Sequence, residues 1–138
     1  MKYTEDNRGI IQNKERFKQP ISFEGMKHND ISPTDIDAII DYRNKCFILY
    51  EVKYEDAPMP RGQALALERI VKALRNSDVD AFALHCRHHV SSPRDPIVLA
   101  NTEVVAFYDG TSRFWKKFEV PINTKAFTES IMSIGDCS

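Results

Sequence analysis

Cys46-Phe47-Ile48-Leu49-Tyr50-Glu51-Val52-Lys53-Tyr54 (residues 46–54) is dominated by β-branched, aromatic and aliphatic side chains, the composition of a strand. Side chains alternate across a strand, so Phe47, Leu49, Glu51 and Lys53 share one face while Cys46, Ile48, Tyr50 and Val52 share the other. Both faces begin apolar, which predicts a central strand covered on both sides. Glu51 and Lys53 interrupt one of those faces, where charge is costly unless it is used.

Outward from this strand the pattern stays legible. Residues 36–42 form a second β-rich run joined to the first by Arg43-Asn44-Lys45, which predicts a tight antiparallel hairpin. Downstream, Pro58 and Pro60 break the chain, and residues 61–76 carry Leu67, Ile70, Val71 and Leu74 at helical spacing. Gln63 lies on the same stripe near the first turn and so faces the sheet. Residues 80–90 read as the next strand. A helix between two strands predicts a βαβ crossover and at least one parallel pair. Residues 97–100, 103–108 and 114–120 read as further strands, the last two paired, with Asp109-Gly110 as a turn. The stretch 123–134 reads as a short helix using Ala126, Phe127, Ile131 and Ile134. On the N-terminal side, residues 1–20 read as a polar short helix or arm ending at Pro20, 21–26 as a short alternating strand, and Lys27-His28-Asn29-Asp30 as the turn after it. The class is α/β.

A chain of 138 residues with 42% hydrophobic and 28% charged residues has the size and make-up of one soluble domain spanning 1–138. No run reaches the roughly 18 apolar residues needed to span a bilayer, and the first 18 residues lack the apolar core of a secretion signal. A cytoplasmic protein with no membrane partner is expected. Cys46, Cys86 and Cys137 are odd in number and widely spaced, which favours reduced thiols over a disulfide framework. With a net charge of −1 nothing draws the whole chain toward nucleic acid, so such binding must come from local basic faces or a bound cation.

The chemistry concentrates in Asp35-Ile36-Asp37 and Glu51-Val52-Lys53. Each pair is two apart and points one way, and the short connector allows Asp37 and Glu51 to meet on neighbouring strands. Carboxylates that close would repel unless a metal, a lysine or a proton compensates them. Carboxylate oxygens can hold a hard divalent cation such as Mg2+, and a nearby ammonium can orient water or neutralise charge developing on phosphorus. On an ordinary amphipathic hairpin the same residues would be a solvent-facing ion pair. Interrupting the Phe47, Leu49 face argues for the chemical reading.

The order Pro33-Thr34-Asp35-Ile36-Asp37-Ala38-Ile39-Ile40, then Glu51-Val52-Lys53, then a helix opening with Gln63, resembles the PD-(D/E)XK (restriction-endonuclease-like) nuclease superfamily, especially its Holliday-junction-resolvase-like and helicase-associated branches. The resemblance covers about residues 33–90. It implies an αβββαβ core, a central four-stranded mixed sheet flanked by helices, here followed by extra C-terminal strands and a short helix. It further implies that Asp37 and Glu51 ligate Mg2+ or Mn2+ together with the Val52 backbone carbonyl, that Lys53 positions or activates the attacking water, and that Gln63 contacts the site. The proline-aspartate dipeptide of the family is here spread over Pro33-Thr34-Asp35-Ile36-Asp37, so either aspartate can be the ligand. The apolar run after Asp37 favours it, with Asp35 as second choice or auxiliary ligand. Many branches add a glutamate from the first helix, for which Glu15 is the natural candidate and Glu24 the alternative.

Two other features bear on function. His85-Cys86-Arg87-His88-His89 invites a zinc or a Cys-His reading, but alternation splits the cluster between two faces and no second Cys/His group completes a tetrahedron. Arg113, Lys116 and Lys117 interleave with Phe114, Trp115 and Phe118, a pattern that suits either nucleic-acid contact or an amphipathic edge strand. Lys14, Arg16, Lys18 and Arg61 are further candidates for a DNA backbone. The expected activity is Mg2+-dependent hydrolysis of phosphodiester bonds in DNA. The oligomeric state is not readable from the sequence, although two-fold dimers are common among structure-selective relatives and a homodimer would place two sites on one duplex. The competing reading is an inactive nuclease-fold module that binds DNA or a protein, as an accessory or inhibitor encoded by a mobile element would.

Overall fold

The computed structural model describes residues 19–134. They belong to two compact units, one ending at Pro33 and one beginning at Thr34. In the first, the expected strand over 21–26 does not form: a turn closed by the Met26 N–H donating to the Phe23 carbonyl (3.1 Å) occupies it. Ile21, Phe23 and Met26 are exposed, so the alternation there has no face to bury. The turn expected at Lys27–Asp30 is present as a two-residue connection. His28 and Ile31 exchange backbone hydrogen bonds of 2.8 and 2.9 Å around Asn29 and Asp30, both at positive φ.

The second unit is a single mixed sheet with two helices. Its elements run β1 (Ala38–Tyr42), β2 (Cys46–Tyr54), α1 (Arg61–Asn76), β3 (Asp80–His88), a 3-10 turn (Leu99–Asn101), β4 (Glu103–Tyr108), β5 (Lys116–Asn123) and α2 (Thr124–Ser133). Strand order follows chain order, β1-β2-β3-β4-β5. β2 and β3 are parallel across the α1 crossover, and the other three pairings are antiparallel. The four-stranded expectation is thus corrected to five strands in one sheet, with only two of them before α1. The segment expected as a strand at 97–100 turns instead into the 3-10 helix, where the Thr102 hydroxyl donates to the Leu99 carbonyl (2.8 Å). The helix implied before the first strand lies outside the described residues.

Each face of β2 builds its own core. Cys46, Ile48 and Tyr50 pack with Leu84, Cys86, Val104 and Ile131, the last from α2. Leu49 packs on the opposite side with Leu67 and Val71 of α1 and with Ala81, Ala83 and Tyr108. Arg75 fixes the far end of α1, its Nε and Nη2 donating to the Ala81 carbonyl at 3.1 and 2.8 Å and its Nη1 lying 3.2 Å from Asp80 Oδ1. α1 ends in a Schellman arrangement: the Val79 N–H reaches the Leu74 carbonyl, the Asp78 N–H reaches the Arg75 carbonyl, and Asp78 sits at φ 61°. α2 begins where the Asn123 side chain accepts the Ala126 N–H at 3.0 Å. Cys46 is disulfide-bonded, which corrects the expectation of reduced thiols, while Cys86 is free and buried. Among the described residues no helix is long and apolar enough to cross a membrane.

Candidate functional site

β2 outruns its hairpin partner. β1 pairs from Ala38 (opposite Tyr50) to Tyr42, so the β2 backbone beyond Glu51 has no β1 strand beside it. The Asp37 side chain fills in for the missing strand: its Oδ2 accepts the Val52 N–H at 2.8 Å. This hydrogen bond satisfies a donor that would otherwise be orphaned and holds Asp37 beside Glu51. It lies at the carboxyl ends of parallel β2 and β3, where open α/β sheets commonly place ligands.

Glu51 is the centre of the cluster. It is 2% exposed and sits on the α1 side of the sheet next to Leu49. Its Oε1 lies 3.2 Å from Lys53 Nζ and accepts from Gln63 Nε2 at 3.1 Å. Gln63 Nε2 also lies 3.4 Å from Asp35 Oδ1, so one amide ties the first turn of α1 to both acidic segments. Glu51 Oε2 and Gln63 Oε1 are buried without a hydrogen-bond partner. Burial raises the Glu51 pKa, the Asp37 and Asp35 charges raise it further, and Lys53 works against them.

Asp35, Asp37, Glu51, Lys53 and Gln63 therefore converge, as the sequence reading expects. The observed part of Val52 is its N–H, which holds Asp37. Among the described residues no group of three or more His, Cys, Asp and Glu side chains is arranged to hold a metal ion. A scan of protein-family models, a search of curated proteins and a search of solved structures each find no match.

The basic candidates divide. Lys14, Arg16, Lys18 and Glu15 lie outside the described residues, and Glu24 is an exposed carboxylate of the first unit. Arg61 is exposed at the start of α1. Arg113 is exposed with its guanidinium 6.0 Å from the Phe114 ring, and Lys116 is bound to Asp109 at 3.0 Å and lies over the Phe107 ring. Lys117 is opposite Ala106 in the β4–β5 ladder and lines a cleft on the α1 side of the sheet.

That cleft also involves His85, from the His85-Cys86-Arg87-His88-His89 run. His85 stands beside Glu51 in the parallel β2–β3 register and on the same side of the sheet. Its pKa is lowered by burial and then by the Lys53 charge, with a hydrogen bond to the Ala57 backbone opposing them and Lys117 adding to the fall. Cys86 points to the other core, where burial pushes its thiol up to about 11. The pleat therefore separates Cys86 from His85 and rules out a nucleophilic pair between them. Alternation along β3 was readable; the register that sets His85 against Glu51 was not.

Proposed function

We propose that the protein is a metal-dependent nuclease of restriction-endonuclease-like fold that hydrolyses phosphodiester bonds in DNA, with β1, β2, α1 and β3 forming the ββαβ part of its core. The observation that carries this reading is Glu51: a buried carboxylate on an apolar face, facing two aspartates, with one oxygen that has no partner. Such a group costs stability, and natural proteins retain that cost where a site needs it. The donor set suits a hard cation. Mg2+ is usually held by one or two carboxylates and keeps several waters, so Asp37 and Glu51 suffice, with the Val52 carbonyl as a further oxygen.

Bound Mg2+ or Mn2+ would supply an activated water and neutralise charge on the phosphoryl oxygens. The chain's own residues do the rest. The Val52 N–H anchors Asp37 at the end of β2, within electrostatic reach of Glu51. Gln63 fixes the Glu51 carboxylate from α1. Lys53, held 3.2 Å from Glu51 and partly open to solvent, orients the attacking water or stabilises the developing oxyanion. The rival, a binding module without turnover, draws support from the same contacts, since Lys53 and Gln63 already offset the charge on Glu51 Oε1.

Incubation of the purified protein with single-stranded and duplex DNA in Mg2+ or Mn2+, with and without chelator, tests the two. Metal-dependent cleavage is expected, reduced by about 100-fold or more in Asp37→Ala, Glu51→Ala and Lys53→Ala, the scale on which positioned catalytic groups act. Full activity in any of these variants, or cleavage that survives the chelator, overturns the proposal. DNA binding with neither cleavage nor calorimetric Mn2+ binding selects the rival.

A further inference from the structure

The cleft beside the carboxylate cluster has a make-up of its own. About 360 Å³ in volume, it is walled by Met59, Ala64, Ala106 and Trp115 and carries two polar groups, His85 and Lys117. Its size lies within the range of roughly 300–1,000 Å³ typical of ligand pockets, and an apolar lining with a few placed polar groups is their usual character. It opens toward a larger cleft of about 470 Å³ that shares His85, Ala106 and Lys117. The two cations of that region differ. Arg87 is already committed to Glu103 at 2.8 Å and Asp56 at 3.3 Å, whereas Lys117 forms no ion pair among the described residues.

Trp115 is the chain's single tryptophan. Its indole Nε1 donates to Glu68 Oε2 of α1 at 3.1 Å, and its ring packs at 5.8 Å between centroids against Tyr108. Both contacts fix the plane of a ring that also lines the cleft. The cleft joins the carboxylate site through two neighbours: Ala64 follows Gln63 on α1, and His85 stands beside Glu51 across β2 and β3.

We infer that this cleft receives one unpaired nucleotide of the substrate strand, its base lying against Trp115 and Met59 and its phosphate against Lys117. The inference rests on the nuclease reading for the identity of the strand and adds the substrate class: single-stranded or locally unpaired nucleic acid. A flat aromatic wall with an unpaired lysine complements a base and its phosphate, and stacking of this kind is sequence-tolerant. A base still paired to a second strand cannot enter a cleft of this size.

Binding of oligothymidylate and of a blunt duplex of equal length to the full chain, measured in chelator so that no cleavage occurs, tests it. The oligonucleotide is expected to quench the Trp115 fluorescence and the duplex is not. By anisotropy of a labelled oligonucleotide, Trp115→Ala is expected to weaken binding roughly tenfold or more, as loss of one stacked base does. Trp115→Phe is expected to retain most of the affinity, and Lys117→Ala, at an exposed position, to weaken binding without affecting the fold. Equal quenching by duplex, no quenching by either, or unchanged affinity in Lys117→Ala overturns the inference. Cleavage in Mg2+ is scored separately, so a protein that binds the oligonucleotide as expected but never cleaves it defeats the nuclease reading alone.

Discussion

Tyr50 and Glu51 are adjacent on β2, equally buried at 1% and 2% exposed, and treated in opposite ways. The Tyr50 hydroxyl points into the core under α2 and shares a 2.6 Å hydrogen bond with Thr128 Oγ1, while burial raises its pKa to about 12. Nearby, Thr102 and Thr124 pair their hydroxyls at 2.7 Å. On that side the polar atoms are matched inside the protein. On the α1 side Glu51 keeps an unpartnered oxygen beside two aspartates and a lysine. A buried polar group with all its partners adds to stability, and one left short of them stores a cost that a ligand can relieve.

Four substitutions break or sharpen that contrast. Ile48→Ala, on the matched side, is expected to lose about 2–5 kcal/mol in denaturant unfolding, because a fully buried branched side chain leaves a cavity. Tyr50→Phe should cost less, about 1–2 kcal/mol, since it leaves the Thr128 hydroxyl without its buried partner. A loss under a few tenths would show that the pair is not what organises this core.

Glu51→Gln should move stability the other way. The folded state holds the Glu51 pKa above its ordinary value of 4.5, so it favours the protonated acid: the favourable contribution is present below the ordinary value and lost as pH rises through the raised one. The variant is therefore expected to melt higher than the parent at pH 7, with the gap closing as pH falls through the raised value and closed below about 4.5. A Glu51→Gln protein less stable at pH 7 would mean that Lys53 and Gln63 more than offset the burial. The smallest effect is expected at Asp78, away from both faces: Asp78→Gly relieves a left-handed residue at the α1 C-terminus and should add about 0.5–1 kcal/mol by thermal unfolding.

The elements that were legible are those whose neighbours on the sheet confirm a local pattern. β2, α1 and β4 begin and end at the expected residues because their periodicity and their breakers agree. The expected strand at 97–100 became a 3-10 turn, with Ile97 and Val98 exposed, because a short apolar run has no way to declare which sheet edge will take it. The stretch 21–26 failed for the same reason. In the candidate site, Asp37, Glu51, Lys53 and Gln63 were readable from spacing, since parity along a strand and a helical stripe fix which way each points.

What the sequence determined by itself is a central strand bearing a misplaced acid and lysine, a crossover helix that returns Gln63 to it, and hence a parallel β2–β3 pair. The tertiary structure alone decided the rest. It set the register that puts His85 beside Glu51, the end of β1 that frees the Val52 N–H for Asp37, and the placing of Trp115 and Lys117 on the α1 side of the sheet. Register and strand length come from packing between segments far apart in the chain, and a one-residue slip would exchange the faces of β3 or β5 without altering a single local preference.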